Sequence, residues 1–476
     1  MIARFLLAAL AVWIASTPLA ADDNLRVVKL SVTPAGPPQP LLRYRFAPAQ
    51  RQLVEGNAAA LYYRAIVVLL QTPREKNDQV QISDWLGLPP AELPRDEARK
   101  TLSRHSTELD EARLAARRRS AAWDLPLRDE GVATLLPEIQ ESRALARLMA
   151  LEARLAILEG DYAAASLALE NMYTMARRVG ESGTLISMLV GIAIQGLAAD
   201  EVQHWIAQEG SPNAYWALTC LPPSVGNLAD SLESEDLWIE GSVPYADLLD
   251  KAILTSDQLD EMAREMGSLA SLEWMNAGFQ VELASGKQVD VRVPAQAALL
   301  PIVLRAYPVC KRQLLESDMD REMVEGMQPL QVVMLRWVQV YRELLDEIVV
   351  WARHAPVETR QAAEQIDERF HELAGRPEAA LANFMLPAVN AANRAVLRGD
   401  QQLAMLRVVE ALRLYAAAHD GRLPEALADI TEVPVPHDPA TNGPFEYRLE
   451  GKTALLRSAE KGAVIPETQF KITVRQ

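Results

Sequence analysis

The sequence predicts a mainly α fold: an irregular helical bundle or stack of helical hairpins, closed by a small C-terminal α+β module of one helix and an antiparallel sheet. Three observations carry that expectation. From Asn57 onward, apolar residues recur at spacings of three and four, which puts them on one side of a helix. Glycine and proline interrupt the pattern at intervals suited to separate helices. After Ala418 the period falls to two, the alternation of a half-buried strand. With 476 residues, 49% hydrophobic and 24% charged, the chain carries enough apolar surface for a large core. Its formal charge of −16 lacks the basic footprint of a nucleic-acid binder and disfavours anionic lipid surfaces.

Residues 1–21 read as a cleavable secretory signal. Arg4 precedes the apolar run Phe5–Ala15, Ser16, Thr17 and Pro18 break it, and Ala20 and Ala21 offer small residues for cleavage. The expectation is a periplasmic or extracellular protein. Residues 22–56 form an extended Pro-rich segment, with Pro34, Pro37, Pro38 and Pro40 closely spaced; the alternation of Leu42, Tyr44 and Phe46 predicts one strand.

Residues 57–220 read as a helical domain. Leu148, Leu151, Leu155 and Leu158 share a face that Gly160 ends. The following Gly160-Asp161-Tyr162-Ala163-Ala164-Ala165 resembles the turn of a tetratricopeptide repeat, but no second copy recurs at the ~34-residue period. Arg143–Ala207 is therefore read as repeat-like hairpins. Pro222-Pro223 and the acidic run at 231–241 mark a boundary, and residues 221–385 form a second helical region. Its clearest stripe is Met334, Val338, Tyr341, Leu345, Ile348 and Ala352, with Arg342, Glu343, Asp346 and Glu347 largely off it. Within Gly286–Pro294, Val289, Val291 and Val293 alternate as in a strand, the rival reading being a long helix entry.

Residues 386–476 form the C-terminal module. Met405, Val408, Val409, Leu412 and Tyr415 make a stripe stopped by Asp420-Gly421. Strands are predicted at Phe445–Arg448, Thr453–Arg457 and Gln469–Val474, the first two joined through Glu450-Gly451-Lys452. The apolar segments Leu185–Ala199 and Val332–Ala352 contain Gln195 and, in the second, several charges, so both are read as core helices and no integral span is expected after signal removal.

The tail carries a resemblance. Leu386-Pro387, Leu406, Ala411-Leu412, Tyr415, Gly421, Leu423-Pro424, Asp438-Pro439, Gly443-Pro444 and Tyr447 follow the order of helix, glycine stop, proline-rich loop and aromatic strand. That order resembles the soluble end of type II secretion pseudopilins and other prepilin-like exported proteins. It covers about a sixth of the chain and implies a helix packed on a small antiparallel sheet, with Tyr415 in its core. The chain departs from the family in two ways. A pseudopilin opens with a prepilin-peptidase site and a long apolar helix, whereas here the module stands at the C-terminus behind a conventional signal. After Tyr447 the nearest acids are Glu450 and Glu460, where the family's calcium loop has several.

No constellation in the sequence points to catalysis, and no catalytic, cofactor-binding or metal-ligating residue is assigned. The chain has no G-x-S-x-G elbow, Walker loop or G-x-G-x-x-G. Glu201-Val-Gln-His204 and Glu368-Arg-Phe-His371 place a carboxylate and an imidazole on one helix face, the spacing used by di-iron bundles. In so acidic a chain that spacing arises cheaply, and solvent-facing positions are the expectation for these and for His105, His354, His419 and His437. The acids of Glu316–Glu322 read as a solvated helix face, and the nine tryptophans as helix packing. Cys220 and Cys310 form either one disulfide or two buried thiols. The reading is an exported, non-enzymatic helical scaffold or binding protein of the cell envelope, partnered by another envelope protein and needing no cofactor. The alternatives are an accessory of a type II secretion or pilus-like apparatus, and a metal-dependent oxidase or hydrolase with scattered site residues.

Overall fold

The computed structural model describes residues 26–71, 78–125, 137–222, 225–276, 280–282, 288–290, 295–354, 368–369, 371–458 and 468–475; residues 1–21, read above as a secretory signal, lie outside them. The described chain is mainly α-helical, with a small sheet at the C-terminal end.

The chain enters as β1 (Arg26–Val32). The strand expected from Leu42, Tyr44 and Phe46 does not form; that stretch runs through turns and bends. Its alternation serves docking instead. Tyr44 and Phe46 pack edge-on against Trp205, at 5.4 and 5.8 Å between ring centroids. Between them, the Arg45 N–H donates to Ser166 Oγ at 2.9 Å, and the Ser166 hydroxyl donates to the Arg45 carbonyl at 2.8 Å. A helix side chain thus satisfies the backbone groups a strand partner would have taken.

Short β2 (Val54–Asn57) leads into α1 (Ala58–Gln71), where Asn57 Oδ1 accepts from the Ala59 N–H at 3.0 Å and satisfies one of the helix's free donors. Helices α2 (Asp78–Gly87), α3 (Arg95–Arg104) and α4 (Ser106–Ala116) follow, then β3 (Arg118–Ser120), which pairs parallel to β2.

Next come three long helices, α5 (Pro137–Glu159), α6 (Tyr162–Gly180) and α7 (Leu185–Ala207), packed on one another. The predicted leucine stripe of α5 is buried, with Leu158 at its edge half-buried. Gly160 takes φ +75° at the turn, and Asp161 Oδ1 caps α6 by accepting from the Ala164 N–H at 3.0 Å. α6 and α7 approach so closely that a Cβ on Gly191 would lie 2.5 Å from the Ala176 carbonyl oxygen, which excludes any larger residue without a backbone shift. By length and composition α7 is apolar enough to cross a membrane; 67% of its apolar window is buried inside the fold, where it packs against α5, α6 and a later helix.

Short α8 (Tyr215–Thr219) precedes α9 (Leu228–Ser242), α10 (Ser256–Asn276), the hairpin β4 (Gln280–Glu282) and β5 (Gln288–Asp290), α11 (Ala295–Glu316), α12 (Arg321–Gly326) and α13 (Pro329–Ala352). The alternation at Val289 is a strand, opposite Val281; Val291 and Val293 lie outside the described residues. The acidic run read as a boundary lies within α9, where arginines on α13 and at its C-terminal cap hold it. Arg342 donates to Asp236 at 2.7 Å, and Arg353 pairs with Glu233.

The 39-residue α14 (Ala380–Ala418) closes the helical part, and the junction at 385/386 lies inside it. Two apolar cores result, and α7 and α14 serve both. The first turns of α7 and the first half of α14 pack with α9–α13; the rest of each packs with α1–α8 and the sheet. α14 ends with Asp420 and Gly421 at positive φ, and the Gly421 N–H returns to the Ala416 carbonyl at 2.8 Å.

Beyond it, β6 (Glu446–Glu450) and β7 (Thr453–Arg457) form the predicted hairpin, with Gly451 at φ +61° in its turn. β8 (Thr468–Val474) pairs antiparallel with β7. The sheet order is β1-β8-β7-β6, so the N-terminal strand adds parallel to the C-terminal one. Helix and sheet meet, with Leu412, Phe445, Leu456 and Phe470 in one core. Tyr415 corrects the expectation of a core residue: it is half-buried, stacked on His419 at 3.8 Å between ring centroids. Tyr447 sits beside it, its hydroxyl donating to the Pro424 carbonyl at 2.7 Å.

Candidate functional site

The two E-x-x-H pairs do not converge on one centre. Glu201 is buried on α7, and Arg154 of α5 grips both its oxygens at 2.7 and 2.9 Å while donating to the Leu86 carbonyl at 3.1 Å. A guanidinium stands where a metal ion would have to bind. Burial, with Arg154 adding, pushes His204 down to about 4, so its imidazole is neutral near pH 7. Glu368 and His371 are exposed. Among the described residues, no group of three or more His, Cys, Asp or Glu is placed to hold a metal ion. Both cysteines are free thiols; Cys310 is buried as one alternative held, while Cys220 is exposed at the end of α8.

His105 departs from its expected solvent-facing role. It breaks the chain between α3 and α4 and is buried, with Nδ1 2.9 Å from Glu108 Oε1 and Nε2 3.7 Å from Asp78 Oδ2. The two carboxylates face opposite nitrogens of the ring, so they link helices through the imidazole. The His-x-x-Glu spacing at 105–108 was the only sequence signal, and it could not report burial.

Another charge stands at the start of α7. Buried Glu235 of α9 accepts from the Leu185 N–H at 3.1 Å, at the positive end of the helix dipole. Burial pushes its carboxyl up to about 7, against the pull of that hydrogen bond. The raised group favours the folded state fully below about pH 4.5, and this contribution is lost as pH rises through 7. Glu235→Gln keeps an acceptor and removes the charge. Its melting temperature should exceed that of the parent at pH 8, and the difference should shrink toward pH 4.5, with a swing of roughly 3 kcal/mol across the window. A difference constant with pH would refute this assignment.

Among the described residues, the two most exposed leucines stand on the outward face of α11. Its inner side is regular: Leu299, Val303, Ala306, Cys310 and Leu314 are buried at spacings of three and four. The opposite side is also apolar. Leu300 and Leu304, one turn apart, are 57% and 60% exposed, and Pro301 and Pro308 are exposed beside them. Pro308 has no N–H to donate to the Leu304 carbonyl, which leaves that oxygen without its helical donor on the same face.

Farther along, Tyr307, Pro308, Lys311, Arg312, Leu315, Glu316 and Arg321 line an open groove of about 450 Å³. Lys311 donates to the Tyr307 hydroxyl at 3.1 Å. Arg321 pairs loosely with Glu325 at 3.4 Å, both side chains being exposed. Two exposed leucines running into an aromatic, cation-lined groove make a surface suited to protein contact, since interfaces are enriched in arginine and aromatic residues over an apolar centre. The sequence analysis missed this face because both sides of α11 are apolar. Comparison of the chain with protein-family models, characterised proteins and solved structures finds no match.

Proposed function

We propose that this protein is an exported helical binding protein of the bacterial cell envelope that holds a partner protein on the outward face of α11. The observation that carries the reading is the exposed Leu300–Leu304 pair beside the cation-lined groove. Most other charges named above serve the fold itself: Arg154 holds Glu201, Arg342 holds Asp236, and Arg353 holds Glu233. Export is supported by the signal-like pattern of residues 1–21.

The helix-on-sheet tail supports a second reading, an accessory of a type II secretion or pilus-like apparatus. Among the described residues of that sheet, however, Val27 is the exposed large apolar side chain, so the sheet offers less to dock on than α11.

The test is site-specific photo-cross-linking in the producing cell, with a photoreactive residue at position 304 and a control at Lys452 in the β6–β7 turn. A discrete adduct from position 304 in the envelope or extracellular fraction, absent from the control, is the expected result. No adduct from position 304, or adducts in the cytoplasm alone, would overturn the proposal.

A further inference from the structure

We infer that the α11 face takes an acidic amphipathic helix from its partner, with apolar side chains over Leu300 and Leu304 and carboxylates over the groove. This deepens the binding reading and rests on it. Charge complementarity is the first argument. In a chain of formal charge −16, the groove lining carries Lys311, Arg312 and Arg321 against Glu316; exposed Arg305 stands seven residues before Arg312 on α11, and exposed Asp318, Asp320 and Glu322 flank the far end, so the partner's carboxylates belong on the α11 side of the groove. Glu316 is the one carboxylate among the groove-lining residues. Arg99 is paired with Glu159 and Arg342 with Asp236, whereas exposed Arg305 and Arg312, like several other surface arginines, have no carboxylate within ion-pair distance among the described residues. A carboxylate-bearing ligand is therefore attracted here and repelled by most of the remaining surface, which sets where and in what orientation it binds.

Shape is the second argument. Leu300, Leu304, Pro308 and Arg312 recur every four residues, a line running along the helix. From first to last it spans about 18 Å, the length of roughly three turns of a partner helix laid alongside. The apolar end and the cationic end are separate, so the partner's leucine-like residues and its acids must be separated in the same way. Because acids favour a helix N-terminus, the partner's N-terminal turn belongs at the groove, antiparallel to α11.

The test uses the purified mature chain and three labelled 18-residue peptides of one helical pattern: leucine with glutamate, leucine with lysine, and serine with glutamate. Fluorescence anisotropy should show binding of the leucine–glutamate peptide alone, weakening as salt rises. Leu304→Ser and Arg312→Glu should each weaken it at least tenfold with unchanged circular dichroism and melting temperature, since both positions are exposed. Equal or better binding of the leucine–lysine peptide, or unchanged affinity in both variants, overturns the inference. If position 304 still cross-links to a partner in cells in that case, the acidic assignment alone falls and the binding reading stands.

Discussion

Arg413→Met is expected to destabilise the protein by roughly 3–5 kcal/mol, the cost of leaving a buried charge without its partner. The guanidinium is fully buried and ties α14 to the segments at Thr33 and Ser211. Nη1 donates to both oxygens of Glu410 at 3.0 Å, Nη2 to the Ser211 carbonyl at 2.7 Å and its hydroxyl at 2.9 Å, and Nε to the Thr33 carbonyl at 2.9 Å. Without it, Glu410 keeps the Ala214 N–H at 3.0 Å as its remaining donor in a buried setting. Burial already pushes the Glu410 carboxyl up, with Arg413 the chief opposing influence, so in the variant only the Ala214 N–H opposes that push. The penalty should therefore shrink as pH falls and Glu410 takes up a proton. Adding Glu410→Gln should recover part of the loss, because a neutral amide costs less to bury than an unpaired carboxylate. Urea denaturation at pH 5 and pH 8 reads both effects. A loss below about 1 kcal/mol, or the same loss at both pH values, would show that the node contributes little net stability.

The second large effect is expected at Trp205, where cutting the side chain to alanine should remove roughly 3–5 kcal/mol. Trp205 is fully buried near the end of α7. Tyr44, Phe46 and Tyr162 meet it edge-on, at 5.4, 5.8 and 4.7 Å between ring centroids, the arrangement aromatic rings favour. Its indole N–H donates to the Pro212 carbonyl at 2.8 Å. The cavity left in Trp205→Ala would open between α7 and the N-terminal segment, which is held there by these rings and by the Arg45–Ser166 hydrogen bonds. Limited proteolysis should then cut first within 33–50, before the helices are touched. Trp205→Phe, which keeps ring contacts and loses the hydrogen bond, should cost clearly less. Equal stability of Trp205→Ala and the parent by urea denaturation would remove this residue from the core account.

Much of the fold was legible because a helix stripe is a local property. The stripes of Leu148–Leu155, Met334–Ile348 and Met405–Leu412 are buried where their spacing put them, and Gly160 and Gly421 carry the positive φ that ends a helix. The hairpin through Gly451 was legible for the same reason, being set by a few neighbouring residues. Alternation without a nearby partner was less informative. Leu42, Tyr44 and Phe46 read as a strand, and only Trp205 and Ser166, more than a hundred residues away, show why they are not.

The sequence by itself determined a helical chain, where its main stripes lie, and a tail of helix and sheet, because period and turn residues act over a few positions. The tertiary structure alone decided the rest. It pairs Arg26 in parallel with Thr468, a partner from the other end of the chain that no local pattern can specify. It turns Glu410-x-x-Arg413 and His105-x-x-Glu108 from ordinary surface spacings into buried nodes, since burial depends on what packs above a helix and not on the helix itself. It also decided which of two apolar sides of α11 is covered. Helices α10 and α13 take the side of Leu299 and Val303, and Leu300 and Leu304 are left facing outward because a helix surrounded on one side has only one face to bury.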